Sequence, residues 1–163
     1  MTETRIDLIL KNSKYFAYLF ENSKREQDRP FCKHDWQHMR DVARIAYILA
    51  LEKGFFFAKD IIYAAGLLHD IGRWKEYDSG EDHALTSAHL ARELLVGANY
   101  SDEEIKTIVQ AIKEHRKGGA NASILGQILC RADDLARPCL DCKARTSCYK
   151  INTMETAKHY LLY

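Results

Sequence analysis

Proline is scarce, with only Pro30 and Pro138 in a chain of 163 residues. A fixed φ and a missing N–H break helices, so almost everything between these two positions is open to helix. Charge of one sign is lacking as well: 24 basic against 23 acidic side chains leave a net charge of +1. That balance offers no basic face for a nucleic-acid backbone, and nucleic acid is not expected as a partner. No apolar run approaches the ~20 residues of a bilayer span, and the first ten residues, carrying Glu3, Arg5 and Asp7, do not read as an export signal. These absences set the expectation of a cytoplasmic protein with no membrane partner. Internal repeats, low-complexity tracts and clear strand alternation are also missing. With 47% apolar and 29% charged residues the composition is globular, and residues 1–163 are expected to form a single domain.

What is present is helical periodicity. Trp36, Met39, Val42, Ala43, Ala46, Leu49 and Ala50 recur at threes and fours, which predicts a core-facing helix over Asp35–Leu51 that ends at Gly54. The apolar stretch Ile61–Leu68 is too short for its period to separate strand from helix, and Ala64 and Ala65 favour helix. A further helix is expected over His83–Val96 before Gly97. Ser101 followed by Glu104 reads as a capping box opening a helix to about His115, closed by Gly118 and Gly119. Ile124 to Leu135 forms another, stopped by Pro138. An aromatic-rich helix over Ile6–Phe20 and a short one over Asn152–Leu162 complete an all-α helical bundle.

Chemistry enters through His38, the pair His69-Asp70, His83, His115 and Asp133, each near the end or on the inner stripe of a predicted helix. Facing helices of a bundle can project such ligands inward around an ion. Imidazole and carboxylate without thiolate suit Fe, Mn, Zn or Ni in a reactive site better than a structural zinc. His34, four residues before His38, is read as a residue near the site, and His89, turned away from His83, as exposed.

The segments His38-Met39-Arg40-Asp41, then Gly66-Leu67-Leu68-His69-Asp70-Ile71-Gly72, then Arg131-Ala132-Asp133-Asp134 resemble the HD-domain metal-dependent phosphohydrolase superfamily in order and spacing. The resemblance covers roughly residues 30–137 and implies a single-domain HD-fold bundle with one or two divalent ions (Fe, Mn, Ni, Zn or Mg). His38, His69, Asp70 and Asp133 would be ligands of the first ion, with Asp70 able to bridge to a second. The stretches around His83 and His115 resemble the two-metal branches of the superfamily, so a binuclear site is expected; the GYP signature of its cyclic-dinucleotide branch is absent.

The resemblance further implies hydrolysis of a phosphomonoester or phosphoanhydride, with a nucleotide the expected small substrate and a metal-bound hydroxide the nucleophile. Asp70 or Asp134 would orient the nucleophile or take its proton. Among the cations near the ligands (Arg73, Lys113, Arg116 and Arg137), Arg73 and Arg116 are the favoured phosphate partners. Trp74 and Tyr77 could stack a base but read first as packing.

Cysteine is the departure from this pattern. Cys139, Cys142 and Cys148 form C-x2-C-x5-C in the segment 138–163, and Cys32 is the candidate fourth thiolate; Cys130 is read as buried. Structural zinc, an iron–sulfur cluster and ordinary reduced thiols all remain open. So do two noncatalytic functions, a regulatory module that binds a nucleotide in the same pocket and a metal- or redox-responsive interaction protein. Oligomer formation is compatible with the sequence.

Overall fold

The computed structural model describes residues 2–159 and 163, and contains eight α-helices and no β-strand among them. They are α1 (Arg5–Lys11), α2 (Ser13–Arg25), α3 (Trp36–Glu52), α4 (Lys59–Leu68), α5 (Arg73–Ser79), α6 (His83–Gly97), α7 (Asp102–Glu114) and α8 (Ile124–Leu135). The protein is all-α, and the ambiguous Ile61–Leu68 stretch is helical.

Local chemistry sets most of the helix ends. Asp35 caps α3 by accepting from the backbone N–H of His38 at 3.0 Å. Ser101 and Glu104 form the reciprocal capping box that opens α7. Gly54, at φ 69°, takes the left-handed conformation just beyond α3, where a Cβ would be strained.

The stripes then meet. α3 lies against α4 and α8, and α7 fits among α4, α6 and α8. Met39, Leu68, Leu95, Ile108, Ile112 and Leu129 are fully enclosed where these helices face one another. Each side chain of that size contributes roughly 1.5–3 kcal/mol on burial. Gly66 brings α4 onto α3: a Cβ there would lie 2.5 Å from the Cα of Ala43. No side chain fits between those backbones, and the contact fixes the height of the turn that carries His69 and Asp70.

Three expectations change. The N-terminal segment is two helices, because Asn12 takes an extended backbone and its side chain caps Lys14, opening α2, which runs on to Arg25. α5 was not expected; it is short, buries no residue fully, and carries Trp74 and Tyr77. In place of a terminal helix, the chain after Pro138 makes 3₁₀ turns at Cys139–Asp141, Arg145–Ser147 and Glu155–Ala157; the expected helix end at 160–162 lies outside the described residues. This segment has a small core of its own, made of Cys139, Met154 and Ala157 with Ile151 beside them. Arg145 ties it together by donating to the carbonyls of Cys139 (2.9 Å) and Ala157 (2.8 Å).

Candidate metal centre

The turn between α4 and α5 holds the adjacent His69 and Asp70, both buried. His38 approaches from the first turn of α3, Asp133 from the last turn of α8, His83 from the start of α6 and His115 from the end of α7. The six sequence-predicted side chains therefore converge from five helices or their ends. Ligand atoms of His38, His69, Asp70 and Asp133 all lie within 4.8 Å of one another, as do those of Asp70, His83 and His115.

Asp70 belongs to both groups and divides its oxygens between them. Its Oδ2 is 3.2 Å from His69 Nε2, whereas Oδ1 is 3.4 Å from both His83 Nε2 and His115 Nε2. On the other side, Asp133 Oδ1 stands 3.0 Å from His38 Nε2 and 3.8 Å from His69 Nε2.

The outer nitrogens are engaged. His69 Nδ1 is 2.7 Å from the Gly66 carbonyl and His115 Nδ1 is 2.6 Å from that of Ile112, contacts that keep a proton on Nδ1 and leave Nε2 as the nitrogen that can bind an ion. His83 Nδ1 is 2.7 Å from Glu76, a residue of α5 that no motif or spacing singles out. Backing the site from α2 is Asn22, which donates to the Asp70 carbonyl at 2.9 Å and accepts from the Trp74 N–H at 2.8 Å. Buried Glu26 accepts from the His34 N–H at 2.8 Å, is hydrogen-bonded to His34 Nδ1, and accepts from Tyr77 Oη at 2.7 Å.

The electrostatics favour a cation. Burial, and then the Arg137 charge, push His38 down to about 4, so its Nε2 is free to act as a ligand near neutrality. Burial opposes charge on His69 too, but Asp70 and Asp133 prevail and raise it to about 10. Although burial works against their charge, Asp70 is held well below the usual carboxylate range by His69 and His34, and Asp133 by Arg137 and the neighbouring His38. Two carboxylates thus keep a positive charge between them, and a divalent ion would displace the His69 proton. His38 Nε2, His69 Nε2 and Asp70 Oδ1 are buried with no hydrogen-bond partner. Leaving such groups unsatisfied costs about 1–3 kcal/mol each, which an ion shared among them would remove. The donor set fits a divalent metal.

The chain matches the HD domain family over residues 35–137. It belongs to the HD domain family. HD domains bind divalent metals and define a metal-dependent phosphohydrolase superfamily whose members are generally hydrolases. An uncharacterized protein of Clostridium beijerinckii is 39% identical over 159 residues, 98% of each chain. Ribonuclease Y of Oleidesulfovibrio alaskensis is 34% identical over 110 residues, which are 66% of this chain and 19% of that protein. Ribonuclease Y of Mycoplasma mycoides is 29% identical over 99 residues, 61% of this chain and 21% of that protein. This HD protein therefore spans about a fifth of those ribonuclease Y relatives. No solved structure matches it.

Other expected residues fall around the HD centre as follows. Arg73 and Arg116 line the cavity of about 230 Å³ that reaches Asp70, and Glu76 pairs with both, at 2.7 and 3.2 Å. Lys113 is exposed, and Asp134, also exposed, lines the cavity. Arg137 donates to Asp133 at 2.6 Å. His34 precedes α3 on a loop, so it forms no helical pair with His38, but its Nε2 is 3.7 Å from Asp70 Oδ2. His89 is exposed. Tyr77 is held at its hydroxyl by Glu26 and Arg73, the Trp74 ring lies under Arg25, and neither residue lines the cavity that reaches Asp70. Cys130 is half-buried, against the expectation of full burial, with its thiol against Gly118. Among the described residues no three cysteine thiols meet within 4.8 Å, so Cys32, Cys139, Cys142 and Cys148 do not form a tight single-ion set. No described helix is long and apolar enough to cross a membrane.

Proposed function

We propose that this chain is a binuclear phosphohydrolase, working as one domain, that cleaves a phosphomonoester or phosphoanhydride of a small substrate such as a nucleotide. The observation that carries the reading is the division of Asp70, with Oδ2 turned to His69 and Oδ1 to His83 and His115. His38, His69, Asp70 and Asp133 would hold one divalent ion, and Asp70, His83 and His115 the other. Ions so placed supply an activated water and neutralise phosphoryl oxygens.

The chain's own residues do the rest. Asp70 sets the spacing of the two ligand groups, and the carbonyls of Gly66 and Ile112 keep His69 and His115 in the ligand tautomer. Arg73 and Arg116 stand at the cavity, where a phosphate would compete with Glu76 for their N–H groups. The cavity of about 230 Å³ that reaches Asp70 admits the phosphate end of a small substrate.

The likeness to proteins named ribonuclease Y favours a second reading, an RNA phosphodiester as substrate. The small cavity and the near-neutral charge of the chain weigh against a polymer. A panel of nucleoside phosphates, dinucleoside polyphosphates and single-stranded RNA, assayed with Mn, Fe, Ni, Zn and Mg, separates the two. Hydrolysis of a nucleotide that is lost in Asp70→Asn is the expected result; cleavage of RNA alone moves the assignment to the second reading. No turnover with any of them, together with nucleotide binding, makes the chain a regulatory module.

A further inference from the structure

The segment after α8 is built unlike the rest of the molecule. Over residues 138–159 it has no α-helix, and its core consists of Cys139, Met154 and Ala157 with Ile151 packed beside them. This apolar burial is small for the ordering of some twenty residues, even with the Arg131–Glu155 ion pair that ties the segment to α8. Irregular segments of this kind are held by disulfides or by metal, and all five cysteines are free thiols.

All five line common space. Cys32, on the loop before α3, and Cys139 line both the cavity that reaches Asp70 and an adjoining one of about 330 Å³; Cys148 and Cys130 line the first and Cys142 the second. Cys130 stands apart from the segment, on α8 with its thiol against Gly118. Cys32 thus shares a cavity wall with each of Cys139, Cys142 and Cys148. Arg137 lines both cavities, and its Nη1 is buried with no hydrogen-bond partner.

Spacing decides what these thiols could hold. Around a single tetrahedral zinc, with Zn–S bonds of about 2.3 Å, sulfurs sit about 3.8 Å apart. No three cysteine thiols here come within even 4.8 Å of one another, although the same structure draws the His/Asp ligands inside that limit. Thiolates that each bind a different iron of a cluster stand farther apart than those sharing one ion, and the adjoining cavity has room for more than one atom.

We propose that Cys32, Cys139, Cys142 and Cys148 bind an iron–sulfur cluster that joins the segment 138–159 to the loop before α3. Each thiol gives up its proton for an Fe–S bond, with sulfide and iron already at the oxidation level of the cluster as building blocks, ferric for a two-iron cluster and equal ferric and ferrous for a four-iron one. Arg137 supplies a buried positive charge beside the four thiolates. The cluster thereby fixes one wall of the substrate cavity, to which Cys148, Tyr149 and Met154 contribute.

Acid-labile sulfide is the readout, because the His/Asp centre binds none. Full-length protein is purified without oxygen, reconstituted with ferric and ferrous iron and sulfide, and desalted. About two to four iron and a matching amount of sulfide per chain, with broad visible absorption, are expected. Cys142→Ser and Cys148→Ser should lose most of the sulfide and absorption; Cys130→Ser and Asp70→Asn should keep both. Absence of sulfide from the reconstituted wild type, its full retention in Cys142→Ser, or one zinc per chain that Cys142→Ser loses would each overturn the proposal. None of these readouts depends on phosphohydrolase activity.

Discussion

The His/Asp centre and the cysteine segment both gather metal-capable side chains, but they are built in opposite ways. Ligands of the first sit at the ends of helices that already share a core, so packing of Met39, Leu68, Ile112 and Leu129 places them before any ion binds. Around the cysteines, buried Cys139, Ala144, Met154 and Ala157 and the hydrogen bonds of the Arg145 side chain to two carbonyls do much of the holding. The first would be assembled by the fold before its ions arrive, and the proposed cluster would hold only its own segment in place.

The largest effect expected on this contrast comes from Asp70. Asp70→Asn should lower phosphohydrolase turnover by about a thousandfold or more while the helical content stays, since catalytic metal chemistry contributes several kcal/mol. A variant with near-normal rates under saturating metal would end the bridging account. Next is Glu76→Ala, which removes the carboxylate behind His83 Nδ1 and should weaken metal binding by about 10–100-fold in a titration. Cysteine variants should leave that affinity within a few-fold.

Stability separates the regions further. In Gly66→Ala the new methyl meets the backbone of Ala43, which should cost about 1–3 kcal/mol in denaturant unfolding and move His69. Substitutions in the segment 138–159 should leave that transition nearly unchanged. Hydrogen exchange should show amides of residues 39–50 protected to near the global limit, and those of 143–153 exchanging through local opening. Equal protection of the two would erase the contrast.

The smallest effect is electrostatic and lies away from both sites. The Arg5 hydrogen bond, with further bonds from Ser101, holds Glu104 down to about 2. Its folded value lies below its unfolded one of about 4.3, so its contribution is present above that unfolded value and fades as pH falls through 2. Glu104→Gln should flatten the loss of stability between about pH 4.3 and pH 2 by about 1 kcal/mol or less.

Much of the helical frame was legible because its signals are local: Asp35 and Ser101 cap within three residues of themselves, and the apolar stripe of α3 needs no partner to be seen. The six His/Asp side chains were legible from their order and spacing. The break at Asn12 has a local signal, an Asn able to cap the next helix, which the aromatic stripe obscured. α5 buries too little to show a period, though Gly80 at φ 75° marks its end. Asn22 and Glu26 act on Asp70 and His34 across 48 and 8 residues, and no spacing rule reaches them.

The central claim is that one carboxylate joins two ion positions, and manganese tests it most directly. Apoprotein titrated with Mn²⁺ should take up about two equivalents per chain at the His/Asp centre and give the exchange-coupled electron paramagnetic resonance spectrum of bridged ions. His115→Ala should reduce this to one uncoupled ion. A single uncoupled ion in the wild type, or two that remain uncoupled, would contradict the account.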